Sequence, residues 1–178
     1  MTSRSTTRFL ALVVLTLAGC AAAPSSSTAT AVAQLRPPPE ATQFDFWIGE
    51  WNVKSTKGDQ PAGRSVITKI LGGWVIEENW TSASGSSGKS FNTYSPLARR
   101  WRQHWVDDSG TVTDYGDGVF EDGHLRFTSN SPDPDGSRKL RTMTFFDLDP
   151  ERVRQLGEVS IDGGASWQVE FDLTYYRR

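Results

Sequence analysis

Over most of the chain, apolar and polar residues alternate in short runs, and turn-forming residues break the runs apart. The last run is the clearest. Trp167, Val169, Phe171, Leu173 and Tyr175 alternate with Gln168, Glu170, Asp172, Thr174 and Tyr176. A period of two puts one set on a buried face and the other in water. Residues 101–106 place Trp101, Gln103 and Trp105 on one face, and Arg102, His104 and Val106 on the other. Residues 75–80 bring Ile76, Glu78 and Trp80 together in the same way. Strands are expected over 46–55, 63–71, 74–81, 88–94, 101–107, 111–117, 124–129, 138–146, 152–160 and 166–176. Between them lie Gly72-Gly73, the SASGSSG run at 82–88, Asp122-Gly123 and Asp162-Gly163-Gly164. Glycine supplies positive φ there, and Asp before Gly suits tight hairpins. Ser95–Arg100 has room for a single helical turn, and no long amphipathic helix is visible. About ten short strands at this spacing predict an all-β antiparallel barrel or sandwich.

The first 42 residues read differently. Arg4 and Arg8 precede a short apolar run, FLALVVLTLA, and then LAGC ends at Cys20. The run is too short for a stable membrane span and reads as an export leader. LAGC resembles the bacterial lipobox, which implies cleavage before Cys20 and its lipidation; ordinary export or an uncleaved leader is the alternative. More than one acyl chain on Cys20 would anchor it stably to a membrane. Ala21, rather than Asp, follows the cysteine, which by the same resemblance favours the outer membrane of a Gram-negative envelope. Residues 21–43 are rich in Ala, Ser, Thr and Pro and cannot bury a core. The expected organisation is a signal peptide over 1–19, a lipidated Cys20 with a tether over 20–42, and one folded domain over 43–178.

Composition narrows the partners. The net charge is −2, and losing Arg4 and Arg8 leaves 17 basic against 21 acidic residues. No basic surface suggests nucleic acid. Cys20 is the one cysteine, so no disulfide framework forms within the chain.

FDFWIGEW at 44–51 opens the expected domain with four aromatics in eight positions. Gly49-Glu50-Trp51 resembles the Gly-x-Trp signature of lipocalins, which implies a tryptophan closing one barrel end beneath a basic residue of the last strand. Arg177 and Arg178 stand where that residue is needed. FDFWIGEWNV at 44–53, VIEENW at 75–80, FNTYSP at 91–96, WRQHWVD at 101–107, RVRQLGEVSIDGGASW at 152–167 and FDLTYYRR at 171–178 together resemble a family of secreted bacterial proteins of unknown function. That resemblance implies a lipocalin-like (calycin-like) barrel of about ten strands and carries no activity with it. Phe44, Phe46, Trp47 and Trp51 would plug one end of the barrel, with Asp45 and Glu50 facing water or capping backbone.

Candidate chemistry is sparse. Ser160, Asp162, Gly164 and Trp167 fit S-x-D-x-G-x-x-W, which resembles the Asp-box hairpin of β-propellers. One copy in 136 residues is a folding device, not a propeller. No G-x-S-x-G elbow occurs. Nitrobindin-like barrels hold haem through one histidine, but His104 falls on the outward phase and His124 beside a tight turn. No cofactor and no metal site are expected. The constellation that stands out is an inward polar group, Glu78 and Gln103, flanked by Trp80, Trp101 and Trp105, with Tyr94 and Arg154 near it in the pattern. A buried carboxylate needs a partner or it neutralises, and Arg154 is a candidate partner. These seven residues could hold a small, largely apolar ligand by one polar handle. Two other readings stay open: an enzyme using Glu78 as general acid or base, and a structural barrel filled by its own side chains. A water-accessible cavity touching Glu78 would speak against the filled barrel, and a raised Glu78 pKa would favour the enzyme.

Overall fold

The computed structural model describes residues 36–133 and 135–178. The expected leader, Cys20 and all of the tether before Arg36 lie outside the described residues. Each alternating run forms a strand: β1 Gly49–Ser55, β2 Pro61–Ile70, β3 Val75–Ser82, β4 Ser87–Ser95, β5 Arg100–Asp107, β6 Val112–Glu121, β7 His124–Ser129, β8 Leu140–Asp149, β9 Arg152–Ser160 and β10 Gln168–Arg177. Every strand pairs antiparallel with the next, and β1 pairs with β10 from Trp51↔Arg177 to Ser55↔Leu173. The chain is an all-β, lipocalin-like closed barrel of ten strands. Among the described residues, closure leaves no unpaired sheet edge.

The period of two decides what faces inward. On β5, Trp101 and Gln103 are buried while Arg102 and His104 are exposed. On β7, Leu125 and Phe127 are buried and Arg126 is exposed. Arg64 and Lys89 also face out. Charged residues outside and aromatics inside are the reverse of a membrane-spanning barrel.

The phase breaks at one place on β10. Its register with β9 shifts between Val169 and Phe171: Val169 lies opposite Glu158, and Phe171 opposite Gly157. A bulge of this kind turns every residue before it to the other face. Phe171, Leu173 and Tyr175 keep the inward phase, but Val169 is 62% exposed and Trp167 precedes the strand and is also exposed. The expectation that all five share one buried face is corrected to the last three. Ser95–Arg100 is one tight turn, closed by the Arg99 N–H donating to Ser95 O at 2.7 Å.

The chain enters the barrel through a plug. Residues 46–48 are not strand: Asp45–Trp47 is a short 3-10 turn, and β1 starts at Gly49. An earlier 3-10 turn, Pro39–Thr42, buries Ala41, so packing begins before Gln43. Phe44, Trp47 and Trp51 are fully buried. Phe44 stacks on Trp47 at 4.9 Å and meets Phe145 edge-on at 4.8 Å; Trp47 reaches Tyr175 at 5.8 Å. These rings fill the end at which the odd-numbered strands begin. The Arg177 guanidinium lies over the Trp51 ring at 4.2 Å, and its N–H groups donate to Pro150 O and Ile48 O. Gly49 is required there: its φ is +145°, and a Cβ would stand 2.4 Å from the Arg177 Nη1. Asp45 is paired with Lys69 at 2.8 Å rather than left to water.

Candidate functional site

The other end of the barrel holds a cavity of about 360 Å³ that Glu78 and Gln103 line. Trp80, Trp105 and Phe171 form much of its apolar wall. Each of these rings lies against a glycine. A Cβ at Gly63 would stand 2.7 Å from the Trp80 ring, one at Gly88 2.4 Å from the Trp105 ring, and one at Gly157 2.4 Å from the Phe171 ring. A side chain of any size at those positions would push a ring toward the barrel axis. The three glycines thus keep the aromatic walls back and the interior open.

The floor of the cavity is a continuous hydrogen-bonded network, and one backbone group fixes its direction. Ile76 O can only accept, so the Asn92 amide nitrogen faces it, donating at 3.0 Å, and also donates to Ser90 Oγ at 3.1 Å. The Asn92 carbonyl then faces Gln103, whose Nε2 donates to it at 2.8 Å. Ser90 Oγ, already accepting, turns its hydrogen to Glu78 Oε2 at 3.0 Å. Ser65 donates to Glu78 Oε1 at 2.8 Å. The Tyr175 hydroxyl stands 2.7 Å from Gln155 Oε1 and 3.4 Å from Glu78 Oε1, and its single hydrogen serves the nearer oxygen. Glu78 is therefore held by hydroxyl donors rather than by a cation. These donors lower its pKa, but burial outweighs them and raises it from 4.5 to about 7. Burial likewise pushes Tyr175 well above its ordinary value, with the Glu78 charge adding to the effect.

At the mouth, Arg141 bridges two acids. Its Nη2 donates to Asp133 Oδ1 at 2.6 Å, and its Nε approaches Glu170 at 3.3 Å. Lys139 also pairs with Asp133, at 2.8 Å. Tyr115 lies beside this group; burial, with the Glu170 charge adding to it, raises its pKa to about 12.

Four of the seven expected site residues, Glu78, Trp80, Gln103 and Trp105, meet in this cavity. Three do not. Tyr94 and Trp101 pack together at 5.7 Å at the plugged end, where the Trp101 indole N–H donates to Gln43. They line a separate surface hollow with Arg99, Arg100 and Phe120. Arg154 is not the partner of Glu78. It faces outward, paired with Asp172 through two hydrogen bonds of 2.8 Å. His104 faces outward too, 2.6 Å from Asp114. The Asp162 hairpin forms as a folding device: Asp162 accepts from the Ser166 N–H and both serine hydroxyls, and the Gly164 N–H donates to Ser160 Oγ. Those bonds lower the Asp162 pKa to about 2.

Sequence reasoning passed over Ser65, Ser90, Asn92 and Gln155, all buried. Each is a polar residue on the inward phase of a strand, and that was the available signal. Arg141 and Glu170 gave none, because the bulge on β10 controls where Glu170 points.

The fold and the hollow interior define a lipocalin-like barrel with a polar-floored cavity. No family model matches the chain, and no curated protein matches it.

Proposed function

We propose that this chain is an envelope protein, lipid-anchored through Cys20, whose barrel binds a small and largely apolar ligand by one polar handle. We further propose that it belongs with the secreted bacterial lipocalin-like proteins that its motifs resemble. The observation that carries the binding reading is the unfilled cavity touching Glu78. Its volume of about 360 Å³ is at the small end of ligand sites, and its make-up of aromatic walls with a few polar groups is usual for them. A structural barrel would fill this space with side chains, as its own plugged end does.

The raised Glu78 pKa favours the second reading, a barrel enzyme using Glu78 as acid or base. Against it, Glu78 is already engaged by Ser65 and Ser90, and among the described residues no His, Cys or Lys lines the cavity to act with it. Binding is the better-supported function.

Native mass spectrometry of the protein taken from its own host tests the reading directly: a co-purifying small molecule is expected. Titration with an apolar dye, followed by tryptophan emission, is the second test. Failure of every probe below millimolar concentration would remove the binding reading. The anchor has its own test. Cys20→Ser should leave the membrane fraction, and a variant processed and bound like the parent would refute lipidation.

A further inference from the structure

The direction of the floor network restricts what can bind above it. The hydrogens of Ser65 and Ser90 point into Glu78, and that of Tyr175 points into Gln155. Both Asn92 amide hydrogens are spent on Ile76 O and Ser90. Gln103 turns its nitrogen to Asn92, which leaves its carbonyl oxygen for the cavity it lines. Glu78 Oε2 accepts from one hydroxyl and keeps a second lone pair. The acceptors left at the floor are Glu78 Oε2 and the Gln103 carbonyl; the donors left are the second N–H of the Gln103 and Gln155 amides, both neutral. The mouth differs from the floor: Arg141 spends two of its five N–H groups on Asp133 and Glu170, and the Tyr115 hydroxyl lines the space beside it. Above the floor, Trp80, Trp105 and Phe171 are laid against Gly63, Gly88 and Gly157, so their rings are the broad walls of the space.

We infer that the cavity takes a flat, uncharged aromatic ligand whose buried end, set on the floor, donates a hydrogen bond, such as a phenol or a ring N–H, and that the floor rejects carboxylates. The inference rests on the binding reading above. A carboxylate on the floor would face the like charge of Glu78 and the Gln103 carbonyl, with neutral amide N–H groups and no cation to compensate its desolvation. A hydroxyl in the same place meets an acceptor on arrival. Flat rings stack on flat walls in offset or edge-on geometry.

Four probes of similar size separate these terms, measured by calorimetry on the full chain at pH 8, above the Glu78 value of about 7 so that its carboxyl is mostly ionised: 2-naphthol, 2-methoxynaphthalene, 2-naphthoic acid and decahydro-2-naphthol. The naphthol should bind about tenfold more tightly than its methyl ether, the worth of one hydrogen bond to a charged or strongly polar acceptor. It should also outbind the saturated alcohol, and the naphthoate should bind weakest. Glu78→Gln should reduce the naphthol-to-ether ratio, and Gln103→Leu should reduce it independently. Naphthoate binding as tightly as naphthol overturns the donor rule, and decahydro-2-naphthol matching naphthol overturns the aromatic one. In either case the binding reading survives. If none of the four binds, and an apolar dye also fails, the binding reading itself falls.

Discussion

At the plugged end of the barrel aromatic rings meet one another; at the open end they meet glycine. Phe44, Trp47, Phe145 and Tyr175 interlock with centroid separations between 4.6 and 5.8 Å. Trp80, Trp105 and Phe171 instead lie over Gly63, Gly88 and Gly157. The same side-chain types therefore make a stopper at one end and a hollow at the other. Glycine alone does not decide between them, since Gly118 lies against Trp101 and Phe127 at the plugged end; there Phe44 and Trp47 enter to fill the axis, and nothing comparable enters over Trp80, Trp105 and Phe171 among the described residues. Packed rings gain dispersion and exclude water, whereas rings on glycine gain contact with backbone and leave their inner faces open to the cavity.

The comparison breaks most easily at Trp47. Trp47→Ala should cost about 3–5 kcal/mol, as large aromatic truncations in a close-packed core do. Trp105→Ala, at a half-buried ring facing the cavity, should cost about 1–2 kcal/mol and chiefly weaken ligand binding. Urea unfolding of both variants gives the two numbers, and equal losses would mean that the open end is packed like the closed one.

Glu78 gives the next largest effect. Its folded value of about 7 exceeds its unfolded value of 4.5, so the folded state holds the proton more tightly. The resulting stabilisation is full below pH 4.5 and is lost as pH rises to about 7, a change of up to about 3 kcal/mol. Glu78→Gln cannot titrate, so the difference in stability between variant and parent should shift across that window. A constant difference from pH 4 to pH 8 would show that the carboxyl is not held up by burial.

The glycines sharpen the contrast further. Gly88→Ala places a Cβ 2.4 Å from the Trp105 ring, which should cost about 1–3 kcal/mol and narrow the cavity enough to weaken binding. Gly164→Ala is a control on the Asp162 hairpin. Its Cβ would meet nothing closer than 3.6 Å, but φ is +97°, so about 1 kcal/mol should be lost with binding unchanged. Unchanged binding in Gly88→Ala would remove the role given to the glycine cradle.

Most of the fold was legible because alternation with period two survives in nearly every strand. The site was legible only in part, for two physical reasons. Alternation tells which face a residue occupies, but not how far along the barrel axis it sits. Tyr94 and Trp101 face inward like Trp105, yet they pair at the plugged end, while Trp105 is four residues further on, about 13 Å at strand rise. Depth needs register, which depends on strands distant in sequence. The second reason is mixed strands. In Arg152–Ser160 the inward set is Val153, Gln155 and Gly157, hardly more apolar than the outward set of Arg154, Leu156 and Glu158, so the facing of Arg154 was undetermined. The bulge at Glu170 added a third obstacle, since nothing in the QVEFDL stretch announces it.

The pairing of β1 with β10 has a consequence in time. Trp51 meets its partner Arg177 only after almost every other residue of the domain has been made. Until then β1 has a free edge, the plug lacks its cation, and Trp47 lacks Tyr175. A nascent chain missing its last ten residues is an open sheet with a template-ready border. Closure of this kind links the two ends of the domain in one late, long-range step, which sets a slow folding clock. The barrel therefore gains its closed form only with its last strand, and everything made before β10 waits for it.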